Sequence, residues 1–114
     1  MTQAHDTTNE FRLVLCSCPD KNTAKALAEK ALRAKLAACV NISAPSTSMY
    51  WWENHIHSDE EVTLAIKTTE GHIVSLFALV QEAHPYEVPE LIAIPISEGS
   101  SAYLAWLEKV TQEG

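Results

Sequence analysis

The segment from His84 to Glu90, reading HPYEVPE, sets an imidazole, a phenol and carboxylates beside two prolines. Each proline fixes its own φ, removes a backbone donor and drives the residue before it, His84 or Val88, towards extended geometry. The side chains of His84, Tyr86 and Glu90 are therefore carried on a stiff connector. A binding site requires such rigid presentation, and a well-made helix-to-strand connection provides it too. His84 follows Ile73 by eleven residues, which returns it to the apolar side of a helix near its C-terminus. An imidazole there either satisfies the last carbonyls or acts as a ligand.

Cys16 and Cys18 occupy alternate positions of an extended run, so they share one strand face at a spacing of about 7 Å. Two thiolates so placed suit a soft ion such as Cu(I); two small buried hydrophobes are the other reading. His55, His57 and Asp59 also alternate, a pattern that chelates Cu(II), Ni(II) or Zn(II) and that equally occurs on solvated hairpin tips. Lys67 is the charge within an otherwise apolar strand body, and its burial requires a carboxylate such as Glu61 or Glu90. Trp51 and Trp52 point to opposite strand faces, so one is expected on the subunit's own core and the other against a neighbour or ligand.

These groups must be positioned by elements that the pattern makes plain. FRLVLCSC (Phe11 to Cys18) alternates with two largely apolar faces, Phe11, Leu13 and Leu15 on one and Val14, Cys16 and Cys18 on the other. Pro19 and Asp20 stop this strand, Asp20 offers an N-cap, and Ala24, Leu27, Ala28, Ala31 and Leu32 predict a helix to about Lys35. Leu36 to Ser43 and Thr47 to Glu53 read as an interrupted second strand, with Asn54 and His55 as a hairpin turn. Glu60 to Thr69 returns as a third strand. Gly71 opens a second helix with a stripe of Ile73, Leu76, Phe77 and Val80, ended by Pro85. Leu91 to Ile96 is a fourth strand, and a serine pair caps a last helix with Tyr103, Trp106, Leu107 and Val110 facing one way.

The resulting βαββαβ order with an added C-terminal helix is that of an α+β, ferredoxin-like fold. Two helices cover one face of such a sheet, yet Val14, Cys16, Ile92, Ile94 and Ile96 make the first and last strands apolar on both. The open face is thus expected to be buried against other copies of the chain in an obligate oligomer.

With 114 residues the chain is one domain, read as a disordered tail over residues 1–10 and a single domain over 11–114. A net charge of −7 repels phosphate backbones and anionic lipid, so neither nucleic acid nor membrane is an expected partner. Neither a secretory signal nor a run of about 18 apolar residues is present. The 3 cysteines lack disulfide or zinc-type spacing, which places the protein in the reducing cytoplasm.

LAEKALRAKLAACVNI (Leu27 to Ile42), YWWE (Tyr50 to Glu53), EEVTLAIKTT (Glu60 to Thr69) and HPYEVPELIAIPI (His84 to Ile96) together resemble the CutA divalent-cation tolerance family. The resemblance implies a ferredoxin-like subunit in a tight homotrimer, similar in architecture to the PII signalling proteins. It also implies a link to copper tolerance and to binding of copper and other divalent cations. The family's proposed metal ligands are a cysteine late in the first strand and a pair of histidines before Pro-Tyr. By position these fall on Cys16 and His84, with Ala83 standing where the first histidine would be. Trp52, Glu61, Lys67, Tyr86 and Glu90 lie in the same blocks and are expected to line an intersubunit cleft. Two functions follow: a trimer that binds divalent metal, chiefly copper, or a PII-like signalling module binding a small metabolite or partner protein in that cleft. No catalytic activity is expected, since CPDKN after the first strand lacks the glycines and arginine of a phosphate-cradling loop, and no nucleophile triad or carboxylate pair is spaced for catalysis.

Overall fold

The protein is described by a computed structural model covering residues 4–6 and 10–112. In chain order its elements are β1 (Ala4–Asp6), β2 (Phe11–Cys18), α1 (Lys21–Arg33), β3 (Cys39–Ile42), β4 (Ser46–Trp52), β5 (His55–Thr69), α2 (Ile73–Ala83), β6 (Ile92–Pro95), β7 (Glu98–Ser100) and α3 (Ser101–Val110), with a short 3-10 turn, Glu70–His72, ahead of α2. The main sheet runs β3-β5-β2-β6 with every neighbour antiparallel, which is the ferredoxin-like arrangement that the sequence pattern predicts.

Local chemistry accounts for the boundaries. Asp20 caps α1 by accepting from the Thr23 amide at 2.7 Å. The helix ends in a left-handed residue, Lys35 (φ 59°), with Lys35 N–H bonded to Leu32 O and Leu36 N–H to Ala31 O, both at 3.0 Å. At the other end of the fold the Ser100 hydroxyl accepts from the Tyr103 amide and caps α3. Pro85 forces the C-cap of α2, His84, into extended geometry at φ −75°, ψ 139°.

Val14, Cys16 and Cys18 of β2 and Val62, Leu64 and Ile66 of β5 pack under α1 and α2 in the main core. Full burial of a side chain such as Leu64 or Ile66 contributes about 1.5–3 kcal/mol. The opposite sheet face is covered at one end only, where Phe11 packs with Leu104 and Leu107 of α3. Beyond α3 this face leaves Ile92 and Ile94 exposed and Leu13 and Leu15 half-buried.

β5 is 15 residues long, and its first half pairs with β4 in a hairpin from Ser46↔Glu61 to Trp52↔His55. At ~3.3 Å per residue this strand spans about 50 Å, and it sets the long dimension of the molecule, 49 Å.

Several expectations are corrected. Of the tail predicted as disordered, Ala4–Asp6 is a strand paired with Glu98–Ser100; residues 1–3 and 7–9 lie outside the described residues. The hairpin turn is Glu53-Asn54, both at positive φ (50° and 66°), and His55 already pairs with Trp52. Neither Trp51 (71% exposed) nor Trp52 (41%) packs on the core, because the hairpin runs past the helices that build it. In α3 the buried stripe is Leu104 and Leu107, while Tyr103, Trp106 and Val110 stay exposed.

Candidate metal centre and adjoining cleft

Alternation along β2 sends Cys16 and Cys18 to the core face, and the extended backbone at the end of α2 delivers His84 to the same place. The ligand atoms of Cys16, Cys18 and His84 all lie within 4.8 Å of one another, and the three residues are buried. His84 Nε2 is 2.8 Å from the Ser17 carbonyl and 3.8 Å from Cys18 Sγ, while Nδ1 accepts from the Tyr86 amide at 3.1 Å. An acceptor at Nδ1 places the proton on Nε2, so the imidazole is a neutral bracket between β2 and the proline-rich connector.

The two thiols are coupled. Their mutual hydrogen bond, followed by burial, holds the Cys16 proton far above the usual thiol range. The same hydrogen bond lowers Cys18 against the opposing effect of burial. The hydrogen bond between the thiols thus makes Cys18 the more acidic of the two. Two sulfurs and one imidazole nitrogen form a soft-to-borderline donor set that fits copper or zinc and does not suit magnesium or calcium. Resemblance assigned Cys16 and His84; the structure brings these together and adds Cys18 where a paired histidine is lacking. The Cys-x-Cys alternation was the sequence signal for that third donor.

On the far side of His84 the connector walls a cleft of about 860 Å³ that opens against the β4-β5 hairpin. The Tyr86 hydroxyl donates to Glu61 Oε2 at 2.7 Å, and the Ser17 hydroxyl donates to Glu90 Oε1 at 2.7 Å. Burial, and then the Glu61 carboxylate, push the Tyr86 phenol above its usual range. Trp52, Glu61, Tyr86 and Glu90, expected at a cleft between subunits, line this cleft within one chain, together with Tyr50, which sequence reasoning had not singled out. Lys67 does not. It lies six residues along β5 from Glu61, roughly 20 Å by strand geometry, and donates to Asn41 Oδ1 at 2.8 Å instead of meeting a carboxylate. Cross-strand pairing of Lys67 with Cys39 puts the β3 segment beside it. On the hairpin His57 stacks on Tyr50 at 5.7 Å and Asp59 accepts from the Tyr50 hydroxyl, so two of the three members of the alternating set are already engaged.

Residues 12–110 match the family model described as CutA1 divalent ion tolerance protein. The chain belongs to the CutA1 family. The divalent-cation tolerance protein CutA of Citrobacter koseri is 42% identical to it over 98 residues, covering 86% of this chain and 85% of that protein. Among solved structures, CutA1 from Oryza sativa superposes with a TM-score of 0.88 at 42% identity, covering 94% of this chain and 98% of that one. CutA from Synechococcus elongatus gives a TM-score of 0.90 at 33% identity and 96% coverage of each chain. The CutA1 match embraces β2 through α3, so the cysteine pair, His84 and the cleft all fall within the family's shared domain.

Proposed function

We propose that this CutA1-family protein contributes to divalent-cation tolerance by sequestering copper, without catalysis, at Cys16, Cys18 and His84. The observation that carries this reading is the convergence of two thiols and an imidazole within 4.8 Å in a buried pocket. Copper is the cargo, and its affinity for soft sulfur and imidazole donors is the chemistry the site would use. Cys18, the more acidic thiol, and Cys16 would supply sulfur; His84 would supply Nε2 by giving up its bond to Ser17. Three free thiols support a reducing, cytoplasmic setting.

The working unit in this reading is a homotrimer. Its support is the partly uncovered sheet face, where Ile92 is 48% and Ile94 41% exposed beside Leu13 and Leu15. A continuous apolar sheet face of this kind marks an interface between chains.

The test is a competition titration of the protein against a chromophoric Cu(I) chelator, repeated with Cys16→Ser, Cys18→Ser and His84→Ala. One copper per chain in the wild type, with affinity reduced at least tenfold in each variant, is the expected result. Unchanged stoichiometry and affinity in all three would overturn the assignment.

A further inference from the structure

Both ring nitrogens of His84 are engaged, and together they fix one tautomer. Nδ1 accepts from the Tyr86 amide at 3.1 Å, and Nε2 donates to the Ser17 carbonyl at 2.8 Å. A metal at Nε2 needs the lone pair of that nitrogen, so a neutral ring must then carry its proton on Nδ1. The Nε2 proton leaves to solvent and Nδ1 takes one up, so the charge of the ring is the same before and after. Nδ1–H would then face the Tyr86 N–H, donor against donor, at a side chain only 7% exposed. Two buried donors without an acceptor each carry the cost of an unmade hydrogen bond. Metal-bound histidines meet the opposite arrangement, in which the second ring nitrogen donates to a carbonyl, a carboxylate or water.

The peptide between Pro85 and Tyr86 is the group that resolves this conflict. It carries the Tyr86 N–H on one side and the Pro85 carbonyl on the other, and a proline ring fixes φ while leaving ψ free. Rotation about Pro85 ψ and Tyr86 φ turns the amide away from His84 and brings the carbonyl towards Nδ1. Three contacts hold the peptide as it stands: the amide bond to Nδ1, the packing of the Tyr86 ring on the imidazole at 4.8 Å, and the bond from the Tyr86 hydroxyl to Glu61 at 2.7 Å. Further along the connector, Glu90 accepts from the Ser17 hydroxyl at 2.7 Å. The connector is thus fastened to β5 through Glu61 and to β2 through Ser17.

We infer, on the reading that copper is held by His84 Nε2, that the Pro85–Tyr86 peptide is a switch with two orientations, amide-in without metal and carbonyl-in with it. Loading turns the peptide and loosens Tyr86 from Glu61. By linkage, the bond between Tyr86 and Glu61 opposes loading to the same degree. Glu61 stands on the part of β5 that pairs with β4, so the connector carries the state of the thiol-imidazole triad to the base of the hairpin. Neither the cause of the switch nor its effect needs the neighbouring cleft to be empty.

The test is NMR of the full, isotope-labelled chain in its native assembly, with and without one equivalent of Cu(I), which is diamagnetic. Long-range proton–nitrogen spectra report the His84 tautomer, and hydrogen exchange reports the Tyr86 amide. On loading, the His84 proton is expected to pass from Nε2 to Nδ1. The Tyr86 amide is then expected to exchange at least about tenfold faster, while the amide of Ala28, buried in α1, does not. Tyr86→Phe keeps the amide and removes the tie to Glu61, so it is expected to bind Cu(I) at least about fivefold more tightly than the wild type. A variant that merely damaged the site would bind more weakly. A His84 proton that stays on Nε2 in the presence of Cu(I) would overturn the copper assignment and the switch with it. A tautomer that changes while the Tyr86 amide keeps its protection, or a Tyr86→Phe affinity no higher than that of the wild type, would overturn the switch alone.

Discussion

His84 donates its Nε2 proton to the carbonyl of Ser17, the residue that separates the two cysteines of the proposed metal triad, at 2.8 Å. The nitrogen best placed to meet a metal is therefore engaged, and both thiols are fully buried. Metal capture requires this bond to open first. In stopped-flow mixing with excess Cu(I) complex, the observed rate is expected to reach a plateau as copper increases, because local opening precedes binding. A rate that rises linearly across the whole range would show the site to be open already.

Tyr86 is the only donor bonded to the buried Glu61 carboxylate among the described residues. Tyr86→Phe removes that hydroxyl and leaves the acceptor in place, which should destabilise the fold by about 1–3 kcal/mol. Urea unfolding of the variant against the wild type measures it. A change below about 0.5 kcal/mol, the range of ordinary surface substitutions, would mean that solvent replaces the phenol freely.

A pH response follows from Tyr103, which is 40% exposed and whose phenol is pushed up by partial desolvation and then by Cys39. The raised value means that the folded state holds this proton when the unfolded chain has lost it. The associated stability is complete below the usual phenol value of about 10 and declines as pH rises through the folded one. As pH rises past the usual phenol value of about 10, Tyr103→Phe is expected to lose less stability than the wild type. Parallel declines in the two proteins would remove Tyr103 from the account.

Much of this arrangement is legible in the sequence. Alternation alone puts Cys16 and Cys18 on one face, and the two prolines alone make the His84 to Glu90 connector stiff. What brings His84 to the cysteines is tertiary: the length of α2 and its packing on β2, for which the family resemblance stood in. The Lys67 partner depends on strand register, and no single strand reveals that Asn41 lies beside it. The tryptophans follow from the length of β5, since a hairpin that outruns the helices has no core of its own to receive Trp51 or Trp52. In α3 the face is selected by where Phe11 emerges on the open side of the sheet. Leu107 belongs both to the observed pair with Leu104 and to the expected stripe with Tyr103, Trp106 and Val110, so periodicity could not decide between the two faces.

The open sheet face offers a separate check on assembly. Ile94 pairs across from Leu13 on that face and is 41% exposed. Ile94→Asp places a charge there with little effect on the subunit's own core, so it is expected to convert the proposed trimer to monomers in sedimentation at micromolar concentration. A variant that sediments as the wild type would move the interface elsewhere.

The most direct test of the central claim is copper K-edge X-ray absorption on the protein loaded with one equivalent of Cu(I). The account predicts a shell of two sulfur scatterers and one nitrogen, with one sulfur lost in either Cys16→Ser or Cys18→Ser and the nitrogen lost in His84→Ala. A shell of nitrogen and oxygen alone, or a sulfur shell unchanged in both cysteine variants, would contradict it.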